Sequence, residues 1–311
     1  MRNRKIMDFK LLEKLIEVAS PTGEEYRMKE FLMDYIDIEQ KNWRHQPQIF
    51  AGEGFQDCII LVFGKPETAV FAHMDTVGFT VRYQNQLLSI GSPEPMASDL
   101  LYGNDNLGEI LCKTEFDTNN RLYYEFGRGI ERGTSLTYSP NFNENNKSIT
   151  SPYLDNRVGL FVGLELAKVM ENGALVFSCG EEHGGGYAGF LARFLFEEFK
   201  ISKALIADVT WDTDGVDRGK GVAISLRDAY IPRRKFIDSI INLANGANVK
   251  YQLEVEGSGG SDGSEIQQLP YPIDWCFIGA PILNPHTSQE RVFKNDIREM
   301  IKLYTILLEE L

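Results

Sequence analysis

The sequence predicts an α/β protein: a three-layer α/β/α sandwich around a mostly parallel mixed sheet, with a small inserted all-β, barrel-like domain. Three observations lead there. Short apolar runs alternate with stretches of helical periodicity along most of the chain, the pattern of a sheet covered by helices on both faces. From about Gly78 to about Thr150 that rhythm stops, and period-2 pieces set among many Gly and Asn take its place. A chain of 311 residues is also too long for one small core, and its 43% apolar and 25% charged residues are ordinary globular values.

Taken in order, Leu11, Leu12, Leu15, Ile16 and Ala19 fall on one helical face, and Ser20-Pro21 ends that helix. Thr22 with Glu25 three positions on reads as a capping box, opening a second helix that turns Met28, Phe31, Leu32 and Tyr35 inward. The apolar runs Cys58–Phe63, Ala69–Ala72, Ala174–Ser178, Ala204–Ala207, Val222–Leu226 and Trp275–Ile278 are predicted strands. Helices are predicted at Asn156–Met170, Tyr187–Phe199, Arg233–Ala244 and Ser288–Leu311. Thr80–Tyr83 and Arg121–Phe126 alternate like strands of the inserted domain, while the polar run Asn141–Asn146 reads as a loop. The expected division is residues 1–77 with 151–311 as the main domain, and 78–150 as the insertion.

The bulk charge narrows the partners. A formal net charge of −13 argues against nucleic acid or an anionic membrane surface, both of which need clustered Lys and Arg. No run approaches the ~20 apolar residues that cross a bilayer. The basic start, Met1 to Asp8, lacks the apolar stretch of a signal peptide. Cys58, Cys112, Cys179 and Cys276 show no paired spacing, as expected of small apolar fillers in a reducing, cytoplasmic setting.

The chemistry is concentrated in a few polar residues. Glu181 and Glu182 follow directly on the apolar run Ala174–Cys179, where a buried strand leaves its sheet. Charged residues are seldom buried unless paired or bound to a cation. His73 ends the run Val70–Ala72, and Asp75, two residues on, shares its face of an extended backbone. A carboxylate so placed can orient a metal-binding imidazole. Asp155, Asp208 and His286 each have a bland reading when taken singly: helix N-cap, strand-end turn, loop histidine. Together they form a pattern, because ligands gather outside the carboxyl ends of strands in open α/β sheets. Two carboxylates ~4 Å apart repel by roughly 4 kcal/mol at an effective dielectric of 20, so acids converging in one cleft predict cations. Two divalent ions against the carboxylates of Asp155, Glu182 and Asp208, with His73 and His286 neutral, leave one positive charge that a hydroxide balances. Oxygen and nitrogen donors without thiolate suit Zn²⁺, with Co²⁺ or Mn²⁺ as substitutes. Residues Gly259–Asp262, with Gly260 and Asp262 as candidate substrate contacts, either line a pocket or lead into a helix capped by Asp262 and Glu265. His183 is a further candidate ligand, set against a loop role.

The ordered motifs His73-Met-Asp75, Asp155-Asn-Arg157, Glu181-Glu182, Asp208-Val-Thr210 and His286-Thr-Ser288 resemble the co-catalytic metallopeptidases. Among these the chain is most similar to the tetrahedral-aminopeptidase family of glutamyl, leucyl and lysyl aminopeptidases. Ser20–Glu25, Ala72–Gly78, Gly127–Thr134, Gly259–Gly263 and Pro285–Arg291 extend the resemblance along nearly the whole chain. It implies that Asp155 bridges two metals, His73 and Asp208 complete one site, and Glu182 and His286 the other. It further implies Glu181 as general base, Asp75 as the partner of His73, short peptides trimmed from their N-termini, and a hollow homo-oligomer, commonly of twelve chains. The insertion between His73 and Asp155 fits this family, whereas in related carboxypeptidases and deacylases the smaller domain follows the Glu-Glu pair. The run His183-Gly-Gly-Gly186 and the loop Ser258–Gly263 depart from the family pattern and bear on the substrate pocket. Two rival readings stand beside it: a carboxypeptidase or amide deacylase on the same core, and a metal-binding homologue without catalysis.

Overall fold

The structure, a computed structural model, describes residues 7–311. The basic start at residues 1–6, read above as unlike a signal peptide, lies outside the described residues. The chain opens with helices α1 (Lys10–Glu17) and α2 (Tyr26–Glu39), followed by strands β1 (Gln48–Phe50), β2 (Ile59–Phe63) and β3 (Thr68–His73). Six strands then form a separate sheet: β4 (Gly78–Val81), β5 (Leu87–Ile90), β6 (Leu100–Asp105), β7 (Gly108–Phe116), β8 (Leu122–Glu125) and β9 (Ser135–Tyr138). Short strands β10 (Asn143–Glu144) and β11 (Ser148–Thr150) lead back to α3 (Leu154–Ala167). The rest runs through β12 (Gly173–Ser178), α4 (Ala188–Phe199), β13 (Lys203–Trp211), β14 (Val222–Arg227), α5 (Arg234–Gly246) and β15 (Tyr251–Val255). It closes with α6 (Asp262–Gln267), β16 (Asp274–Leu283), β17 (Arg291–Phe293) and α7 (Lys294–Glu310).

The large sheet has the order β1-β2-β12-β3-β13-β16-β17-β11-β10, with β14 on β16 and β15 on β14. Its centre, β12-β3-β13-β16, is parallel and its flanks join antiparallel, while β14 and β15 pair parallel with each other. Strands β2, β3 and β12 are buried at every position, as strands covered on both faces must be. Helix α3, with α1 and α7 packed against it, makes one covering layer, and α4 with α6 packs on the other side of the β12-to-β16 region. This is the predicted mixed α/β architecture.

Helix α3 is apolar nearly all round, which fits its central place in its layer. It sits close on β13 at one point. The Asn156 amide donates to the Ala207 carbonyl at 2.9 Å, and its oxygen accepts from the Gly159 N–H at 2.8 Å. A Cβ at position 159 would stand 2.2 Å from that same carbonyl oxygen, so only glycine fits.

The smaller sheet is antiparallel throughout, in the order β5-β4-β9-β6-β7-β8. A bridge between Gln86 and Tyr123 draws its two edges together into a nearly closed barrel. Phe79, Leu101, Ile110, Leu136 and Tyr138 fill its interior. Buried and exposed positions alternate along β7, the period-2 signature of a strand with one wet face.

Several local expectations are corrected. The last helix starts at Lys294 instead of Ser288, because Arg291–Phe293 is a strand held between β16 and β11. Within the expected loop Asn141–Asn146, residues 143–144 pair with β11 and so join the large sheet. The capping box at Thr22 does not form, since α2 starts at Tyr26 without a side-chain cap. Strands β1, β15 and β17 are three to five residues long, too short to announce themselves by periodicity. The four cysteines are buried and unpaired, and no helix among the described residues is long and apolar enough to cross a membrane.

Replacing Gly159 by alanine should cost about 1–3 kcal/mol of stability, the usual penalty for overpacking a rigid contact. Urea denaturation of the G159A protein checks this; a loss below about 0.5 kcal/mol would mean that α3 can lift off β13 freely.

Candidate metal centre

Five segments distant in sequence converge at the carboxyl ends of the central strands. His73 is the last residue of β3. Glu181 and Glu182 follow the end of β12, and His286 lies in the turn after β16. Asp208 lies within β13 and not at its end, as the sequence suggested. Pairing of β13 with β3 stops at Ile206, however, so beyond that point one flank of β13 is open. Asp155 is likewise not the helix N-cap: the side chain that accepts a first-turn N–H is that of Asn156, from Gly159, which leaves the Asp155 carboxylate free to face the cluster.

The Asp155 carboxylate faces two ways. Its Oδ1 lies 3.3 Å from His73 Nε2, which is also 3.5 Å from Asp208 Oδ2. Its Oδ2 lies 3.4 Å from His286 Nε2, which stands 3.4 Å from Glu182 Oε2. Two candidate ligand groups result, His73–Asp155–Asp208 and Asp155–Glu182–His286, each with its donor atoms within 4.8 Å of one another. Glu181 belongs to neither group, although its Oε2 comes to 4.0 Å from His73 Nε2. The Oε1 of Glu182 is buried and has no hydrogen-bond partner. A buried carboxylate oxygen without a donor, beside nitrogen and oxygen donors and no thiolate, suits a divalent cation.

The electrostatics of the bare cluster are those of crowded acids. Burial, reinforced by the charge of Asp155, raises the Glu182 carboxyl to about 8 and Asp208 to about 7. Glu181 is pushed well above the usual carboxylate range, foremost by burial and then by its acidic neighbours against the pull of His73. Burial opposes charge on the histidines, yet Asp155 and Glu182 lift His286 to about 10. Asp208, Asp155 and Asp75 likewise lift His73 well above its ordinary value. Asp155 moves the other way: burial would raise it, but the two imidazoles hold it below the usual range.

A second ring of contacts fixes these side chains. Asp75 accepts the backbone N–H groups of Glu181 and Glu182 at 3.1 and 3.0 Å while facing His73 Nδ1 at 3.4 Å. It also takes the Thr22 hydroxyl at 2.8 Å, which explains why Thr22 is not a helix cap. Glu290 is fully buried and accepts from the backbone N–H of His286 at 2.8 Å and of Asp155 at 3.1 Å. Arg157, buried completely, donates to the carbonyls of Leu15, Val18 and Met74 and to the Ser20 hydroxyl. The smaller sheet reaches in as well. Ser92 lies 3.0 Å from His286 Nδ1, and Tyr138 donates to the His286 carbonyl at 3.2 Å. His183, weighed above as a ligand, instead accepts from the Gly91 N–H at 2.9 Å. Gly260 lines the cavity that holds the cluster, whereas Asp262 does not; its Oδ2 accepts the Ser178 hydroxyl at 2.5 Å. The helix that follows is capped by Ser261 with Ser264, not by Asp262 and Glu265. Nothing local in the sequence assigns Glu290 or Ser92 these contacts, and Thr22 signals only a cap, because each acts through a contact across the fold.

With this geometry established, comparison with known proteins places the chain. Residues 123–303 match the family model described as M42 glutamyl aminopeptidase. The chain belongs to this family. It is therefore a peptidase hydrolase, and the family implies divalent metals. FrvX of Escherichia coli (strain K12) is 22% identical over 344 residues, spanning 96% of this chain and 94% of its own length. The aminopeptidase APDkam598 of the archaeon Desulfurococcus kamchatkensis has a similar structure, with a TM-score of 0.85 at 20% identity over 97% of this chain and 94% of that one. The TET1 peptidase of Pyrococcus horikoshii, which can assemble into a tetrahedron or a large octahedral shell, superposes with a TM-score of 0.79. It is 18% identical over 97% of this chain and 99% of its own.

The metal-free protein should lose stability as pH rises from about 5 to 9. Glu182, Asp208 and His286 bind protons more tightly folded than unfolded, because their folded pKa values are raised. Their contribution is complete below the unfolded values and disappears as pH climbs through about 7, 8 and 10. Metal uptake must displace those protons and is expected to tighten with pH. Denaturation of chelated protein at pH 6 and pH 9 checks the sign; greater stability at pH 9 would contradict it.

Proposed function

We propose that the chain is a cytoplasmic di-metal aminopeptidase that removes N-terminal residues from short peptides. The observation that carries this reading is the two-faced Asp155 carboxylate, which gives two ligand groups one member in common. His73 and Asp208 would complete one metal site with Asp155, and Glu182 and His286 the other. When bound, two divalent ions, Zn²⁺ first among the candidates, would polarise the scissile carbonyl and lower the pKa of an attacking water.

The protein's own groups supply the proton handling and the positioning. Glu181, at the edge of the cluster and outside both ligand groups, would take the proton from the attacking water on a carboxylate oxygen and return it to the leaving amine. Such transfer typically contributes ~10²–10⁴-fold. Asp75 holds the main chain of both glutamates and faces the outer nitrogen of His73, so it would set ligand orientation and base position together. Acidic groups not engaged with metal would attract the free ammonium of a substrate and favour cleavage at the N-terminus.

Leu88, Leu100, Tyr102, Leu107 and Leu111, all on the smaller sheet or its turns, expose large apolar side chains. Such exposure supports a subunit contact there, with the insertion also shaping substrate access, within a closed homo-oligomer that reaches twelve chains by the family resemblance.

A Glu181→Gln protein should keep its metal content and lose at least ~100-fold in kcat on an aminoacyl amide. Elemental analysis with steady-state kinetics checks both halves, and near-normal turnover would remove Glu181 from the role of base. Sedimentation should give a species many times the mass of one chain; a monomer alone would count against the assembly.

A further inference from the structure

The metal cluster occupies only part of a cavity of about 330 Å³, and the remainder has its own chemistry. Three further acids line it, Asp228, Glu254 and Glu256, with the rings of Trp211 and Phe277 beside them. Among the described residues no lysine or arginine side chain lines this cavity. The adjacent guanidinium, Arg227, directs its Nε to the main-chain oxygens of Asp228 and Glu256 at 3.2 and 3.1 Å. Asp228 and Glu254 are 8% and 3% exposed, so both carboxylates have lost most of their water.

Their partners satisfy them only partly. Glu254 accepts the Thr210 hydroxyl through Oε1, and Asp228 accepts the Tyr230 N–H through Oδ1. Ser225 stands opposite Glu254 in the parallel β14–β15 pair and shares its face of the sheet. Its buried hydroxyl faces the Glu254 carboxylate and favours the ionised form. Two hydroxyls and one N–H leave these desolvated carboxylates short of a counter-charge, a cost that a cationic ligand would remove. Burial accordingly raises the pKa of both Glu254 and Asp228.

The position of this second region is set by β13. Thr210 follows Asp208 by two residues and so shares its face, roughly 7 Å further along the strand. Thr210 holds the Glu254 carboxylate, so that acid sits about two strand residues, roughly 7 Å, beyond Asp208, a span comparable to a lysine side chain. We infer that this end of the cavity is a specificity subsite for a cationic side chain, the lysine or arginine at the N-terminus of a peptide substrate. The inference rests on the aminopeptidase reading and names its substrate class. The ammonium or guanidinium pairs with Glu254, Asp228 and Glu256, while the aliphatic stem lies along Trp211 and Phe277. A leucine side chain would leave the buried acids unpaired, and a glutamate would add like charge to them.

Two measurements test it. Wild-type kcat/KM is compared on lysyl, arginyl, leucyl and glutamyl amidomethylcoumarins, with Glu254→Gln and Glu256→Gln alongside. The lysyl and arginyl substrates should lead leucyl by at least tenfold and glutamyl by more, and both variants should lower the lysyl-to-leucyl ratio, the first at least tenfold. Leucyl or glutamyl turnover above lysyl, or an unchanged ratio in folded E254Q, overturns the subsite. If E254Q fails to fold, E256Q on the cavity rim and the wild-type ranking decide. Calorimetric titration of metal-loaded protein with lysinamide and leucinamide reads the subsite without turnover. Equal affinities overturn it, and tighter lysinamide binding supports it. If no free-N-terminal amide is hydrolysed but lysinamide still binds tighter, the aminopeptidase reading falls and the subsite stands.

Discussion

Asp155 shares its space with three further acids and two histidines, and the repulsion among the acids is the constraint on which the rest of the structure depends. In an unliganded cluster the conflict is resolved by protons. Asp155 stays ionised between two imidazoles, and its acidic neighbours are driven toward their neutral forms. Divalent ions would replace those protons without moving a side chain far, because the donor atoms already stand close together. The main chain accommodates the arrangement by bringing the cluster to the open ends of parallel strands, where side chains can converge without interrupting the sheet.

Holding such a cluster open requires anchors that do not use up its charges. The protein solves this with buried ionic groups that bind backbone. Asp75 and Glu290 accept main-chain N–H groups of the candidate ligands and their neighbours, and Arg157 gathers three carbonyls, from the end of α1, the residue that follows it and the residue just past β3. A hydrogen bond to a charged group contributes about 1.5–3 kcal/mol, and each of these side chains makes at least two. The backbone around the site is therefore over-determined, which is how side chains from five segments reach a common geometry.

Much of this was legible in the sequence, for identifiable reasons. Long apolar strands and long amphipathic helices gave the layers, and the loss of that rhythm after Gly78 gave the second sheet. The residues that converge around Asp155 could be named as candidates because their motifs are local and their order along the chain is distinctive. What escaped was non-local. Strand β15, with Glu254, is five residues long and takes its meaning from its neighbours in the sheet. Thr22 looks like a cap from its spacing and becomes an anchor for Asp75 only after the chain folds. Asp262 stands beside a Gly-rich loop in sequence, yet in space it answers to Ser178.

The contacts between the smaller sheet and the turn that carries His286 have a wider implication. Ser92 and Tyr138 meet that turn directly, Glu94 donates to the His286 carbonyl at 2.9 Å, and Gly91 approaches Glu182 so closely that a Cβ there would lie 2.9 Å from its carbonyl oxygen. The smaller sheet is thus no interchangeable accessory. A module transplanted from a distant homologue would have to reproduce these few stitches, or it would retune the chemistry as well as reshape the entrance.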